Sequence, residues 1–256
     1  MEEVTGSSPV STTIATNQRQ ENLLILDLQL ASLPEIAGHY ASDQVDWVRA
    51  NMVISQDGHF VGPSDSSRDL TSESDLKLLL LLRALSDVVL VGANTARTEN
   101  YRQPKARDEC SFLNRKPPRL AVVSSSLEFD LSAPLFNGGQ EQTIVINVGK
   151  KTPSPELNEI AKVVDVPSTT SASFAKDLVA ALAQIDLRKI TCEGGPSLLI
   201  QLLEAGAIDE YDLTVSPVTV GGSPDWASAL PKDSDWIQVG AAVSGDFEFK
   251  RLLLRR

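Results

Sequence analysis

The sequence predicts an α/β fold with a mostly parallel central sheet, helices on both faces and an antiparallel hairpin at the C-terminal edge. The prediction rests first on alternation: from Trp47 onward, short runs rich in Val and Ile take turns with leucine- and alanine-rich runs of helical length. It rests next on the strands, which are apolar throughout ("VVLV", "TIVIN") and so need cover on both faces, as in a parallel sheet. The last segment differs. "WIQVGAAVSGDFEFKRLLLRR" has period-two pieces around Gly245-Asp246, the pattern of a hairpin.

Residues 1 to about 20 are polar, Ser/Thr-rich and aperiodic, which predicts a mobile tail, while "NLLILDLQL" from Asn22 could add a strand or a packing segment. Residues 1–45 are read as an N-terminal extension and 46–256 as one domain. "WVRANMVIS" is a strand, and Asp57-Gly58 marks the turn after it. Thr71 or Ser72 caps the next helix; Glu73 and Asp75 sit in a first turn that favours acids, and good helix formers through Leu85 predict a buried helix. Strands follow over Val88 to Val91 and Leu120 to Val123, separated by the helix-starting "NTARTE" and the Pro117-Pro118 break, and then over "QTIVINVG". A linker rich in Pro and Thr leads to the helix "FAKDLVAALAQI" and the strand "KITCEGG". "PSLLIQLLEAG" is a helix with Pro196 in its first turn, where a missing N–H costs nothing, and Gly206 as its stop; "YDLTVSPVTVGG" is the next strand.

Composition narrows the function. A net charge of −11 and a pI near 4.7 argue against sequence-independent binding to nucleic acid or anionic membrane, so any anionic ligand must be met locally. The two cysteines, Cys110 and Cys192, have no CxxC partner, which fits a reducing cytoplasm. His39 and His59 stand apart, leaving a histidine metal site or a Ser-His-Asp triad nothing to use, and no metal is expected. "LKLLLLLRAL" is about half the ~20 residues that span a bilayer.

The chemistry is expected at strand ends. In "EGGPS" a strand stops, two residues without side chains follow, and a helix begins, so backbone N–H groups and the positive end of a helix dipole converge where a phosphate fits. A tight turn without a ligand is the alternative. Gly92 to Thr95 and Ser124 to Ser126 end two other strands with small or hydroxyl residues, and in a parallel sheet these ends share one rim. Together they suit a dinucleotide. Gly195 is expected to let the backbone approach the pyrophosphate and to hold a positive φ.

"ISQDG", "LLRALSDVVLVGANT" and "CEGGPSLLIQLLEAGAIDEYDLTVSPVTVGG", in this order, resemble the reductase domain of riboflavin biosynthesis, the RibD C-terminal domain, in its stand-alone form. The resemblance covers roughly Trp47 to Gly222. It implies a dihydrofolate-reductase-like fold, a homodimer, and NADPH-dependent reduction of the ribosylamino group of a pyrimidine 5′-phosphate to a ribitylamino group. It also implies cofactor contacts from Ile54, Gly92, Thr95, Glu99, Ser124 and the run Gly194, Gly195, Pro196, Ser197 and Leu198, and substrate contacts from Ser67, Arg83 and Glu193. Arg83 lies in an apolar helix, where a cation needs a ligand phosphate or a carboxylate, or else forms a structural salt bridge. No residue is assigned as proton donor; bound water and Glu193 are the choices. Asp57 is read as turn chemistry. The sequence departs from the pattern at Asp69, where an aromatic is usual, and at Glu99-Asn100-Tyr101, where Asp-Asp-Pro is usual. An expected arginine has no match at its spacing, though Arg102 and Arg107 are near. A dihydrofolate or pterin reductase, and a non-catalytic NADPH-binding paralogue, are the competing readings.

Overall fold

The computed structural model of the chain describes residues 25–166, 171–224, 229 and 235–255. The expectation for residues 1 to about 20 lies outside them. The strands are β1 (Ile25–Asp27), β2 (Trp47–Ile54), β3 (Val88–Gly92), β4 (Arg119–Ser124), β5 (Thr143–Asn147), β6 (Ala161–Asp165), β7 (Lys189–Cys192), β8 (Glu210–Val215), β9 (Trp236–Ser244) and β10 (Phe247–Leu254). The helices are α1 (Leu33–Tyr40), α2 (Glu73–Ala84), α3 (Ala93–Thr98), α4 (Pro155–Ile160), α5 (Ser171–Gln184) and α6 (Pro196–Glu204).

One sheet holds every strand, in the order β1-β9-β10-β8-β2-β7-β3-β4-β5-β6. From β8 to β6 all pairings are parallel, whereas β10 runs antiparallel to both β8 and β9. The fold class is therefore the one expected. The hairpin, however, is not the outermost element, because β1 pairs in parallel with β9 beyond it.

The apolar strands feed both faces by alternation. Val88 and Leu90 of β3 join the core under α5 and α6, with Leu178, Leu182, Leu199 and Leu202, whereas Val89 and Val91 pack on the other side with Leu120, Val122 and Leu157. All four β3 residues are fully buried, each contributing roughly 1.5–3 kcal/mol of hydrophobic stabilisation. A third cluster joins Ile36 and Tyr40 of α1, Leu78, Leu81 and Leu82 of α2, and Phe249 of β10.

Four expectations need correction. The stretch read as a linker contains α4 and β6: Ser154 caps α4 by accepting the Leu157 N–H, Pro155 starts it, and the β-branched run that follows adds an edge strand. The strand "YDLTVSPVTVGG" ends at Val215, two residues before Pro217, which has no N–H for a ladder. α1 was not anticipated, although Ser32 and Glu35 form a reciprocal capping box. Finally, α2 is capped by Ser72 as expected, but it is not buried all round: Leu76 is 48% exposed, and Leu79 and Leu80 line a cleft.

Candidate active site at the carboxyl rim

The carboxyl ends of β2, β3, β4 and β7, neighbours in the sheet, bring the candidate cofactor residues to one rim. Gly92 N–H donates to the Gly194 carbonyl at 2.8 Å, locking the end of β3 to the turn after β7. The Gly194–Gly195 peptide is cis. Gly194 holds φ +86°, a conformation glycine favours, but Gly195 has φ −62° and ψ −178°, extended backbone open to any residue. The positive φ expected at Gly195 thus belongs to its neighbour. What restricts Gly195 is space: a Cβ there would stand 2.3 Å from Thr95 Oγ1, on the first turn of α3. Gly195 is also the N-cap of α6 and caps without a side chain, which leaves the dipole end to the backbone alone.

Ile54 ends β2, and Ser124, buried, ends β4. Ser124 Oγ accepts the Leu127 N–H at 3.0 Å and Ser126 Oγ the Glu128 N–H at 3.2 Å, so both hydroxyls shape their own turn while keeping a proton to donate. Pro196, Ser197 and Leu198 form the opening turn of α6.

Beside this rim lies a cleft of about 1280 Å³, between α2 and the loop from Glu99 to Pro118. The three candidate substrate residues line it. Arg83 meets Glu193 bidentately, Nε to Oε1 and Nη2 to Oε2, both at 2.6 Å, and Tyr101 donates its hydroxyl to Glu193 Oε2 at 2.8 Å. The Arg83 guanidinium lies 5.6 Å from the centre of the Tyr101 ring, within cation–π range. Burial disfavours the Arg83 charge, but Glu193 more than offsets this and holds the group above its ordinary value. Burial, then Glu193, pushes the Tyr101 hydroxyl well up, so it stays protonated and donating. Ser67, in contrast, reaches Glu99: its N–H and Oγ both point at Glu99 Oε1, at 3.3 and 3.2 Å.

The remaining candidates sort themselves by contact. Asp57 accepts from Ser55 Oγ at 2.6 Å and from the Val220 and Gly221 N–H groups, and the Ser55 hydroxyl, then the Gly221 N–H, hold it well below the usual carboxylate range. It ties two loops together, as its turn position suggested. Cys192 adjoins Glu193, but burial pushes its thiol up to about 12, which removes it as a nucleophile. Asp69 accepts from the N–H and Oγ of Ser64, at 2.7 and 2.6 Å, and so serves its own loop. Tyr101 was visible in the sequence only as a departure, and Asp75 only as a first-turn acid; both line the cleft.

Seven basic residues line this cleft against five acids, in a chain of net charge −11: Arg83, Arg68, Arg102, Lys105, Arg107, Arg115 and Lys116 face Asp75, Glu99, Asp108, Glu109 and Glu193. The excess is local and suits a phosphorylated molecule. Fold and site together define an α/β protein with a glycine-built turn at the sheet rim and a cationic cleft beside it.

The chain belongs to the RibD C-terminal domain family, which matches residues 46–239. It is similar to the 2,5-diamino-6-ribosylamino-4(3H)-pyrimidinone 5′-phosphate reductase of Archaeoglobus fulgidus, with 26% identity over 187 residues, 69% of this chain and 82% of that protein. Among solved structures, a pyrimidine reductase-like protein from Corynebacterium diphtheriae superposes with a TM-score of 0.71 at 25% identity, covering 88% of this chain and all (100%) of the other. The diaminohydroxyphosphoribosylaminopyrimidine deaminase/5-amino-6-(5-phosphoribosylamino)uracil reductase of Thermotoga maritima shares the fold, with a TM-score of 0.65 at 18% identity over 86% of this chain and 60% of its own. Among the described residues, no helix is long and apolar enough to cross a membrane.

Proposed function

We propose that this protein is an NADPH-dependent reductase of a pyrimidine ribosylamine 5′-phosphate, the kind of molecule for which its relatives are named. The observation that carries the reading is one of adjacency. Glu193, paired with Arg83 in the cationic cleft, is followed directly by the Gly194-Gly195 turn, so a substrate in the cleft and a dinucleotide on the rim meet at one peptide. The residues present fit the cofactor, since Gly195 caps α6 without a side chain and so leaves the positive end of that helix to the backbone alone. When bound, NADPH supplies the hydride, and the protein supplies orientation and electrostatics.

In this reading the backbone of Ile54 meets the nicotinamide amide, Gly92, Thr95 and Glu99 border the cofactor, and Gly194 to Leu198 wrap the pyrophosphate. Ser124 stands at the adenosine end. Lys150 and Lys151 follow β5 and Val148, whose N–H donates to the Ser124 carbonyl, and their charge favours a 2′-phosphate there. Arg83 is held by Glu193 rather than free, so it orients the substrate together with that carboxylate. The excess basic residues of the cleft receive the 5′-phosphate. We place the protein in the cytoplasm, which suits its two free, buried cysteines.

NADPH is expected to raise the melting temperature more than NADH at equal concentration; at a hundred times Kd, binding adds about 2.7 kcal/mol. Equal shifts would remove the preference, and no shift with either would remove the cofactor. Turnover followed by NADPH absorbance then tests the substrate. Activity on the diaminopyrimidinone or uracil ribosylamine phosphate supports the reading. Activity on dihydrofolate alone makes it a folate-type enzyme, and activity on none makes it a binding paralogue.

We also propose a homodimer. β8 is paired on both sides, to β10 and β2, and has no edge to offer. β9 instead presents Val239 and Val243, 40% and 36% exposed and four residues apart on one side of the strand. A two-fold contact across that face is the expected assembly. Light scattering should give twice the chain mass, and Val239→Glu should halve it; a monomer mass in the parent protein would refute the assembly.

A further inference from the structure

Reduction of a ribosylamine needs a proton as well as a hydride, and Glu193 is poorly placed to give one. Both its oxygens are occupied, accepting the two Arg83 contacts and the Tyr101 hydroxyl. The cleft holds another carboxyl of opposite character. Asp75 is 8% exposed and lies on the same face of α2 as Leu79 and Arg83, eight residues or about 12 Å along the helix axis from Arg83. Its recorded side-chain partners are hydroxyls: Thr71 Oγ1 donates to Oδ2, and Thr214 is the second. Burial raises its pKa, and the two hydroxyls lower it by less.

Position agrees with chemistry. As the crossover between the parallel strands β2 and β3, α2 returns antiparallel to them, which puts its first turn at the carboxyl rim. Thr214 of β8 is in register with Val53 of β2, next to Ile54, the residue assigned to the nicotinamide. We propose that Asp75 is the proton donor of this cleft, a catalytic residue, and that Glu193, held by Arg83 and Tyr101, orients the substrate without giving up a proton.

The inference rests on the reductase reading above. In the ring-opened substrate the C=N bond is reduced: its carbon takes the hydride, its nitrogen takes the proton from Asp75, and the dihydronicotinamide is oxidised. The Asp75 carboxylate then regains a proton from water. Charged and titratable groups on the surrounding elements are Glu73, Lys77 and Arg83 of α2, Arg49 of β2, Glu210, Tyr211 and Asp212 of β8, Glu248, Lys250 and Arg251 of β10, and Arg68, Glu99, Tyr101 and Glu193 around the cleft. A donor acts only while protonated, so the single-turnover rate should be flat at low pH and fall as pH rises through the raised Asp75 value.

The test compares the parent protein with Asp75→Asn, Thr214→Val and Glu193→Gln. Asp75→Asn is expected to slow single turnover at least a hundredfold and to lose the alkaline fall, with NADPH affinity within threefold of the parent, which also reports that it is folded. Thr214→Val removes a hydroxyl that stabilises the carboxylate, so the alkaline fall should move to higher pH. Infrared titration of the protein alone provides a readout without turnover: the difference between the parent and Asp75→Asn should contain a protonated carboxyl band that titrates above the ordinary aspartate range, the Asp212 contribution being common to both proteins. Retention of the parent rate and pH profile in Asp75→Asn overturns the inference. So does loss of the alkaline fall in Glu193→Gln alone, or a carboxyl band unchanged in Asp75→Asn. A parent protein inactive on both pyrimidine phosphates overturns the reductase reading and the donor role with it.

Discussion

Gly195→Val is expected to weaken NADPH binding about tenfold or more, roughly 1.4 kcal/mol, while the unliganded protein stays folded. The backbone does not oppose the substitution, because φ −62° and ψ −178° are open to valine. The obstacle is Thr95: the first added carbon would lie 2.3 Å from its Oγ1, and the hydroxyl must turn away. An off-rotamer Thr95 costs on the order of 0.5–1.5 kcal/mol, a modest loss for the fold. For the ligand the change is larger, since Thr95, a proposed cofactor contact, is displaced and two methyl groups are added at the start of α6. Gly194→Ala should behave in the opposite way. Its φ of +86° resists any side chain, and a Cβ would meet Met52 Cε at 3.2 Å, so unliganded stability should drop by about 1–3 kcal/mol. Melting without ligand and NADPH titration of the two variants separate the roles. Unchanged affinity in Gly195→Val would refute the phosphate cradle.

The contrast between these two glycines shows what the sequence could convey. "EGGPS" announced a strand end, a bare turn and a helix start, because each follows from local chemistry: β-branched residues, missing side chains, a proline in the first turn. Which glycine holds the positive φ and which faces Thr95 depends on where α3 lies, a tertiary fact. The parallel core was legible for the same local reason, since runs such as Val88 to Val91 can be satisfied only by cover on both faces. α1 and β6 were missed because they are short. The capping box at Ser32 and Glu35 starts a helix of eight residues, and only Ile36, Ala37 and Tyr40 of it are buried. β6 is an edge strand with one fully buried residue, Ala161, so its apolar signal is thin.

The site divides along the same line. Ser67, Arg83 and Glu193 were picked out by resemblance, and the structure brings all three into one cleft. The partner of Arg83 is 110 residues away, and Tyr101 reaches Glu193 across 92, separations that no local pattern reveals. Asp75 was legible as a favourable charge at a helix start. Its burial against Thr214, which sets its chemistry, required knowing that β8 runs beneath α2.

Glu210→Gln is expected to destabilise the protein by about 3 kcal/mol, whereas Asp212→Asn, two residues along the same strand, should cost less than about 1 kcal/mol. Glu210 is fully buried and accepts from Trp47 Nε1 at 2.8 Å, from Arg49 Nη2 at 2.9 Å and from Arg251 Nε at 3.0 Å. Arg49 and Arg251 also donate to the carbonyls of Tyr40 and His39, the last residues of α1, where cations suit the helix dipole. Removing the Glu210 charge leaves two guanidinium groups without their shared anion. Asp212 offsets part of the loss: its Oδ2 is 2.8 Å from Arg49 Nε, although that N–H is directed at Glu210. In the parent protein burial, then the Glu210 charge, pushes the Asp212 carboxyl well up, towards the neutral form that an amide imitates, so an amide replaces it at little cost. Burial pushes Glu210 the same way, but Arg49 and Arg251 prevail and its value is lowered. Glu210 therefore adds stability that is complete above its unfolded value near 4.3 and is lost as pH falls through the lower folded one. Asp212 acts in reverse, since its stabilisation is complete below its unfolded value and fades as pH rises through the raised one. Denaturant unfolding of both variants from acid to neutral pH should show a flattened acid slope in Glu210→Gln alone, and faster hydrogen exchange along α1. Equal losses in the two variants would mean that the charge is shared between the carboxylates rather than held on Glu210.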